Sequence, residues 1–161
     1  MDKEVLALRA CAEESKEGWL GLLHDLRGRE ATQIDLIVTD GHDGLLAAVG
    51  ELFTATPRQR CLVHKQRNVL AAIPRRERAE VQAELVGIWE QATKEEALTQ
   101  LSAFKAKYAQ RYPEAVRSLI EDEEHLLTFY AFPESMHRHI LTTNAIESLF
   151  SLTQTRMISA S

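Results

Sequence analysis

Apolar residues recur along this chain with two different spacings, and the change between them divides it. Trp19, Leu22, Leu23 and Leu26 lie three to four residues apart. That is the period of a helix with one buried face, and it predicts an amphipathic helix over residues 14–27 with Gly28 as its stop. Ile34 to Thr39 (IDLIVT) is β-branched and almost continuously apolar, the pattern of a buried strand in a mostly parallel sheet. Asp40-Gly41-His42-Asp43-Gly44 then forms a turn cluster. Leu45, Ala48, Val49, Leu52 and Phe53 return to helical spacing, and Thr54 to Pro57 breaks the chain. Arg60 to Val63 (RCLV) predicts a short strand that runs into a helix over residues 64–73. With a further strand candidate at Glu4 to Leu8 (EVLAL), the order is strand, helix, three times over, which predicts an α/β layered sheet.

Beyond Pro74 the strand signals stop. Val81, Leu85, Ile88 and Trp89 mark one helix, and Ala97, Leu101, Phe104 and Tyr108 a second. Val116, Leu119, Ile120 and Leu127 mark a third that begins near Pro113. Pro133 opens a short segment and a last helix begins near Thr143, so a helical block separates the sheet from the final helix and the chain is helix-rich overall. No repeat, low-complexity tract or linker interrupts it.

Composition narrows the class. The 161 residues are 45% hydrophobic and 27% charged, which suits one globular domain and excludes collagen, coiled coil and bulk disorder. Cys11 and Cys61 make no disulfide framework, and reduced thiols in a cytoplasmic protein are expected. No apolar run approaches the roughly 20 residues of a membrane helix, and Met1-Asp2-Lys3-Glu4 does not open a signal peptide, so no membrane partner is expected. The net charge of −5 argues against a surface that binds nucleic acid all over. The charge is uneven, however. Residues 58–78 carry seven Lys/Arg (Arg58, Arg60, Lys65, Arg67, Arg75, Arg76, Arg78) against one acid, Glu77, and Glu121-Asp122-Glu123-Glu124 is the opposite. A basic segment of this kind is either a solvated helix face or a surface for phosphates, and composition alone favours the first.

Three groups of residues carry candidate chemistry. Asp40 ends the best strand, at the edge where open α/β sheets bind ligands and where a carboxylate can hold a divalent cation. Its plainer role is in an Asp-Gly turn, with Asp43 capping the next helix. Glu147 lies in Thr142-Thr143-Asn144-Ala145-Ile146-Glu147-Ser148, close to a capping box on Asn144, yet adjacent to the apolar face formed by Ile146, Leu149 and Phe150. Were it to meet Asp40, two carboxylates would share a site, and such a pair calls for a proton or cations. Cys61 and His64 have metal-ligand spacing, but no second close Cys/His pair completes a zinc site. No phosphate-cradling glycine loop and no nucleophile elbow is present.

Four motifs in order resemble the Mutator-type transposases of bacterial insertion sequences. They are Trp19-x-x-Leu22-Leu23-x-x-Leu26-x-x-Arg29, Val38-Thr39-Asp40-Gly41-His42-Asp43-Gly44-Leu45, Arg60-Cys61-Leu62-Val63-His64-Lys65-x-Arg67-Asn68, and Thr142 to Ser148. Tyr112-Pro113 and Phe132-Pro133-Glu134 fit as well. The resemblance implies a partial ribonuclease-H-like core with about three strands over residues 1–73 and 141–153, a helical insertion over 74–140 and a frayed tail over 154–161. It implies a catalytic Asp-Asp-Glu triad on Mg²⁺ or Mn²⁺, in which Asp40 matches the second aspartate and Glu147 the glutamate, with Cys61 and His64 in a Cys-x-x-His motif. It also implies insertion-sequence ends as the DNA partner, Arg58, Arg60, Lys65 and Arg67 toward its phosphates, and a homo-oligomer. Two cations bridged by carboxylates suit strand cleavage and transfer, because they activate one oxygen and stabilise another. Neither Asp2 nor Asp35 fits the triad's first position, so a fragment cut at both ends and inactive alone is expected. The alternatives are a non-catalytic DNA-binding or regulatory remnant, and a small module binding metal through Cys61 and His64.

Overall fold

In the computed structural model, which describes residues 6–7, 15–29 and 33–141, two short parallel strands separate two helical layers. Strand β1 (Ile37–Thr39) pairs with β2 (Arg58–Arg60) in the register Ile37↔Arg58, Val38↔Gln59, Thr39↔Arg60. Around the pair lie α1 (Lys16–Gly28), α2 (Asp43–Leu52), α3 (Leu62–Ala71), α4 (Arg78–Trp89), α5 (Lys94–Tyr108), α6 (Pro113–Ile120) and α7 (Glu134–Ile140). The described residues thus give a helix-rich chain with a two-stranded parallel sheet, in keeping with the α/β expectation.

The period-two alternation of a strand explains the layering. Ile37 packs with Leu23 of α1 and Ala48 and Val49 of α2, whereas Leu36 and Val38 pack on the opposite side. There Leu62, Val69 and Ile73 of α3 join Leu85, Leu101, Leu119, Leu126 and Phe129 in the larger apolar cluster. That cluster runs from α3 through α7 without a break at Pro74. Local signals set the helix starts. Ser15 Oγ accepts from the Gly18 N–H at α1, Thr93 and Glu96 form a reciprocal capping box at α5, and Pro113 stands in the first turn of α6.

Three expectations are corrected. The strand predicted over Arg60–Val63 lies two residues earlier, because the Cys61 N–H bonds Thr39 O (2.7 Å) and Cys61 O already accepts the Lys65 N–H (3.0 Å) as the cap of α3. The helix predicted to carry Leu127 ends at Ile120, and Leu126 and Leu127 are buried from the turns that follow. Asp43 is the first residue of α2, not its cap; the cap is His42, whose N–H bonds Asp40 Oδ1 at 3.2 Å. The first strand candidate falls outside the described residues except for Leu6 and Ala7. The final helix after Thr142, with Glu147, and the 154–161 tail lie outside them altogether.

Candidate active site

Beyond the last strand pair, Thr39↔Arg60, the two chains diverge into the turn that carries Asp40 and the start of α3. Asp40 is exposed there, and among the described residues its carboxylate accepts from the His42 N–H. Gly41 follows with φ +88, the left-handed region that favours glycine. It has a second reason to lack a side chain: an added Cβ would overlap the Arg60 guanidinium, which lies directly against it.

Arg60 belongs to a buried charge network. Its Nε donates to Asp122 Oδ2 (2.9 Å), its Nη1 reaches Thr39 O (3.5 Å), and its Nη2 lies 3.2 Å from the Asn68 amide oxygen when that amide is turned to satisfy both its ends. Lys65 Nζ donates to the same Asp122 oxygen (2.7 Å) and to Ser118 O (2.5 Å). Arg60 is 4% exposed and Lys65 1%. Burial pushes the Asp122 carboxyl up, but Lys65 and Arg60 outweigh it and hold the group below the usual carboxylate range. The neighbouring His125 is held low, by burial first and by the Arg58 charge second.

The four basic residues expected to face phosphates therefore divide. Arg60 and Lys65 are interior and engaged with Asp122, Arg58 is half-buried, and Arg67 is exposed, as are Arg75 and Arg76 beyond it. Cys61 and His64 come together, with Sγ and Nδ1 3.2 Å apart, and Cys61 is fully buried. Asp40 is an oxygen donor of the kind Mg²⁺ and Mn²⁺ take. No group of three or more His, Cys, Asp or Glu side chains among the described residues is arranged to hold an ion. Glu147 lies outside those residues, so its meeting with Asp40 is not described. Leu141, six positions before it, gives its carbonyl to the Leu62 N–H (3.0 Å), next to Cys61.

Sequence reasoning missed Asp122 and Gln59. A signal for Asp122 existed: position 122 continues the inward spacing of Ala115, Val116 and Leu119, and an inward carboxylate demands a partner. Gln59 had none, since an Arg-Gln-Arg strand shows no apolar pattern.

A strand–turn–helix with a carboxylate at the strand's carboxyl end is the arrangement by which α/β enzymes place polar chemistry. Comparison with known proteins agrees with the motif resemblance. The model of the Mutator family of transposases matches residues 2–158, and the chain belongs to that family. The transposase for insertion sequence element IST2 of Acidithiobacillus ferrooxidans is 39% identical over 155 residues, 96% of this chain and 52% of that protein. The IS6120 transposase of Mycolicibacterium smegmatis is 38% identical over 154 residues, 96% of this chain and 48% of its own length. The chain thus spans about half the length of these relatives. No helix among the described residues is long and apolar enough to cross a membrane.

Proposed function

We propose that this chain carries part of a ribonuclease-H-like transposase core that cuts and joins DNA at insertion-sequence ends, with Asp40 and Glu147 as carboxylate ligands of divalent cations. The observation that carries the reading is the exposed Asp40 carboxylate at the carboxyl end of a parallel strand, in a chain of the Mutator family. The tie between Leu141 O and the Leu62 N–H supports it further, because it holds Leu141, six residues before Glu147, at that same end of the sheet. The cations, when bound, activate the attacking oxygen and stabilise the leaving one. The protein's own share is to hold the carboxylates in place and to receive the DNA backbone. Exposed Arg67, Arg75 and Arg76 offer positive charge to phosphates, while Arg60 and Lys65 are interior and engaged with Asp122.

Titration of the chain with Mn²⁺, followed by water-proton relaxation, tests the metal assignment. Asp40→Asn and Glu147→Gln are each expected to weaken binding by about tenfold or more. Equal affinity in wild type and both variants overturns it. Gel shifts with duplex DNA from an insertion-sequence end test the DNA assignment. Affinity is expected to fall steeply with salt and to weaken in Arg67→Ala/Arg75→Ala.

A further inference from the structure

The charges buried behind the Asp40 turn are unequal. Among the described residues two cations, Arg60 and Lys65, share one carboxylate, Asp122, and these three side chains carry a net +1. Taking an ion out of water is costly, so an arrangement of this kind is weak evidence for stability and calls for another reason. The geometry offers one. Asp122 lies just past the end of α6, far along the chain from the strands, yet its Oδ2 holds Arg60 Nε at 2.9 Å. The guanidinium so held lies against Gly41, the residue next to Asp40. Thr39 O and the Asn68 amide limit its other nitrogens. An arginine head is ordinarily free to swing, and here each branch of it is engaged. The backbone at Gly41 is left-handed and its α-carbon rests on that head group, so the path of the Asp40 turn depends on where Arg60 lies.

We propose that Asp122 is a positioning residue: by clamping the Arg60 guanidinium under Gly41 it sets the turn that presents the Asp40 carboxylate. Lys65 fulfils a different task in the same network, balancing Asp122 and tying it to Ser118 O in α6. The clamp itself stands on geometry alone. Its consequence for cation binding rests on the function proposed above.

The test separates the two. Lys65→Met keeps the Arg60–Asp122 pair and takes the buried net charge from +1 to 0 (+2 − 1 becomes +1 − 1). Lys65→Met/Asp122→Leu removes the clamp at an unchanged net charge of +1 (+2 − 1 becomes +1). NMR of the full chain reads the amide–α-proton couplings of Gly41, which report its φ, and the broadening of signals around Asp40 by added Mn²⁺ reads affinity. In Lys65→Met both are expected to stay as in wild type. In the double variant the Gly41 couplings are expected to change and Mn²⁺ affinity to fall about tenfold. Unchanged couplings in the folded double variant overturn the proposal, and so does an equal change in Lys65→Met alone. Should the double variant not fold, Asp122→Glu decides: it moves the carboxylate by one methylene and is expected to shift the Gly41 signals, and an unmoved Gly41 overturns the clamp. If wild type takes up no Mn²⁺ at Asp40 while the Gly41 couplings respond as expected, the cation assignment falls and the clamp stands.

Discussion

Gln59 occupies the middle of β2 with none of its surface exposed, and every polar atom of its side chain has a partner. Its Nε2 donates to Leu126 O (2.9 Å) and Arg60 O (2.7 Å), and its Oε1 accepts the Phe129 N–H (2.9 Å). The amide thus stitches the strand to the turns after α6. A leucine at this position would fill the space and abandon both Leu126 O and the Phe129 N–H inside the protein. Each orphaned group costs about 1–3 kcal/mol, so Gln59→Leu is expected to lower the unfolding free energy in urea by roughly 2–4 kcal/mol. A loss under about 0.5 kcal/mol would mean that these turns rearrange to find other partners. The same turns make the fold sensitive to acid. His125 and Asp122 both have folded pKa values below their unfolded ones. Each therefore contributes stability that is complete above its unfolded value and is lost as pH falls through the folded one. For His125 the loss begins below about pH 6.5, and for Asp122 below about pH 4. The melting temperature is expected to fall between pH 7 and 5, and His125→Gln is expected to flatten that slope. The same slope in the variant would assign it to other groups.

At the scale of elements, what was legible followed from who faces whom. Helices α2, α4 and α5 bury apolar faces against apolar faces, so the spacing of Ala48 and Val49, of Val81, Leu85 and Ile88, and of Leu101, Phe104 and Tyr108 located them to within a few residues. Strand β1 was legible for the complementary reason: both of its faces meet apolar layers, and its sequence is apolar but for Thr39. Strand β2 was not, because Arg58-Gln59-Arg60 is polar, and Gln59 and Arg60 are interior only through the partners their side chains find at positions 122, 126 and 129. The apolar run that followed, Cys61-Leu62-Val63, drew the strand assignment two residues along, although those residues begin α3. The acidic run at 121–124 showed its charge but not its partners: Asp122 is the counter-ion of Arg60 and Lys65, and Glu123 pairs with Lys105 (2.6 Å). Within the candidate site, Asp40 was legible from its place at a strand end. The floor beneath it was not, because that floor joins position 60 to position 122, and periodicity carries no information about such a pair.

For the whole molecule, the two apolar clusters differ in size and in what ties them down. The larger runs from α3 to α7 and includes the fully buried Leu85, Leu101, Leu119 and Leu126. The smaller joins α1 and α2 through Leu23, Ala48, Val49 and Phe53, with Trp19, Leu20 and Leu26 only partly covered. At its rim lies an exposed Lys16–Glu51 ion pair (2.9 Å), of a kind that solvent screens and that adds little to stability. Units with fewer buried apolar contacts open at lower free energy than the fold as a whole. The amides of α1 and α2 are therefore expected to exchange hydrogen at a lower opening free energy than those of α4 and α5. Leu23→Ala, which removes a core side chain at a cost of about 2–5 kcal/mol, is expected to speed exchange in α1 and α2 and leave α5 as it was. Leu101→Ala is expected to lower the opening free energy of α5 itself. Equal exchange free energies in α1 and α5, both shifted alike by Leu23→Ala, would instead mean that the layers unfold as one. The distinction matters for the site, because Asp40 lies where the layers meet. Its strand, β1, is packed on one side by the smaller cluster, whereas Arg60, beneath its turn, is fastened to the larger one through Asp122. A turn fastened to the slower-opening layer keeps its carboxylate in place while α1 and α2 open and close. Exchange at the His42 amide, which bonds Asp40 Oδ1 in that turn, is accordingly expected to follow α3 rather than α2.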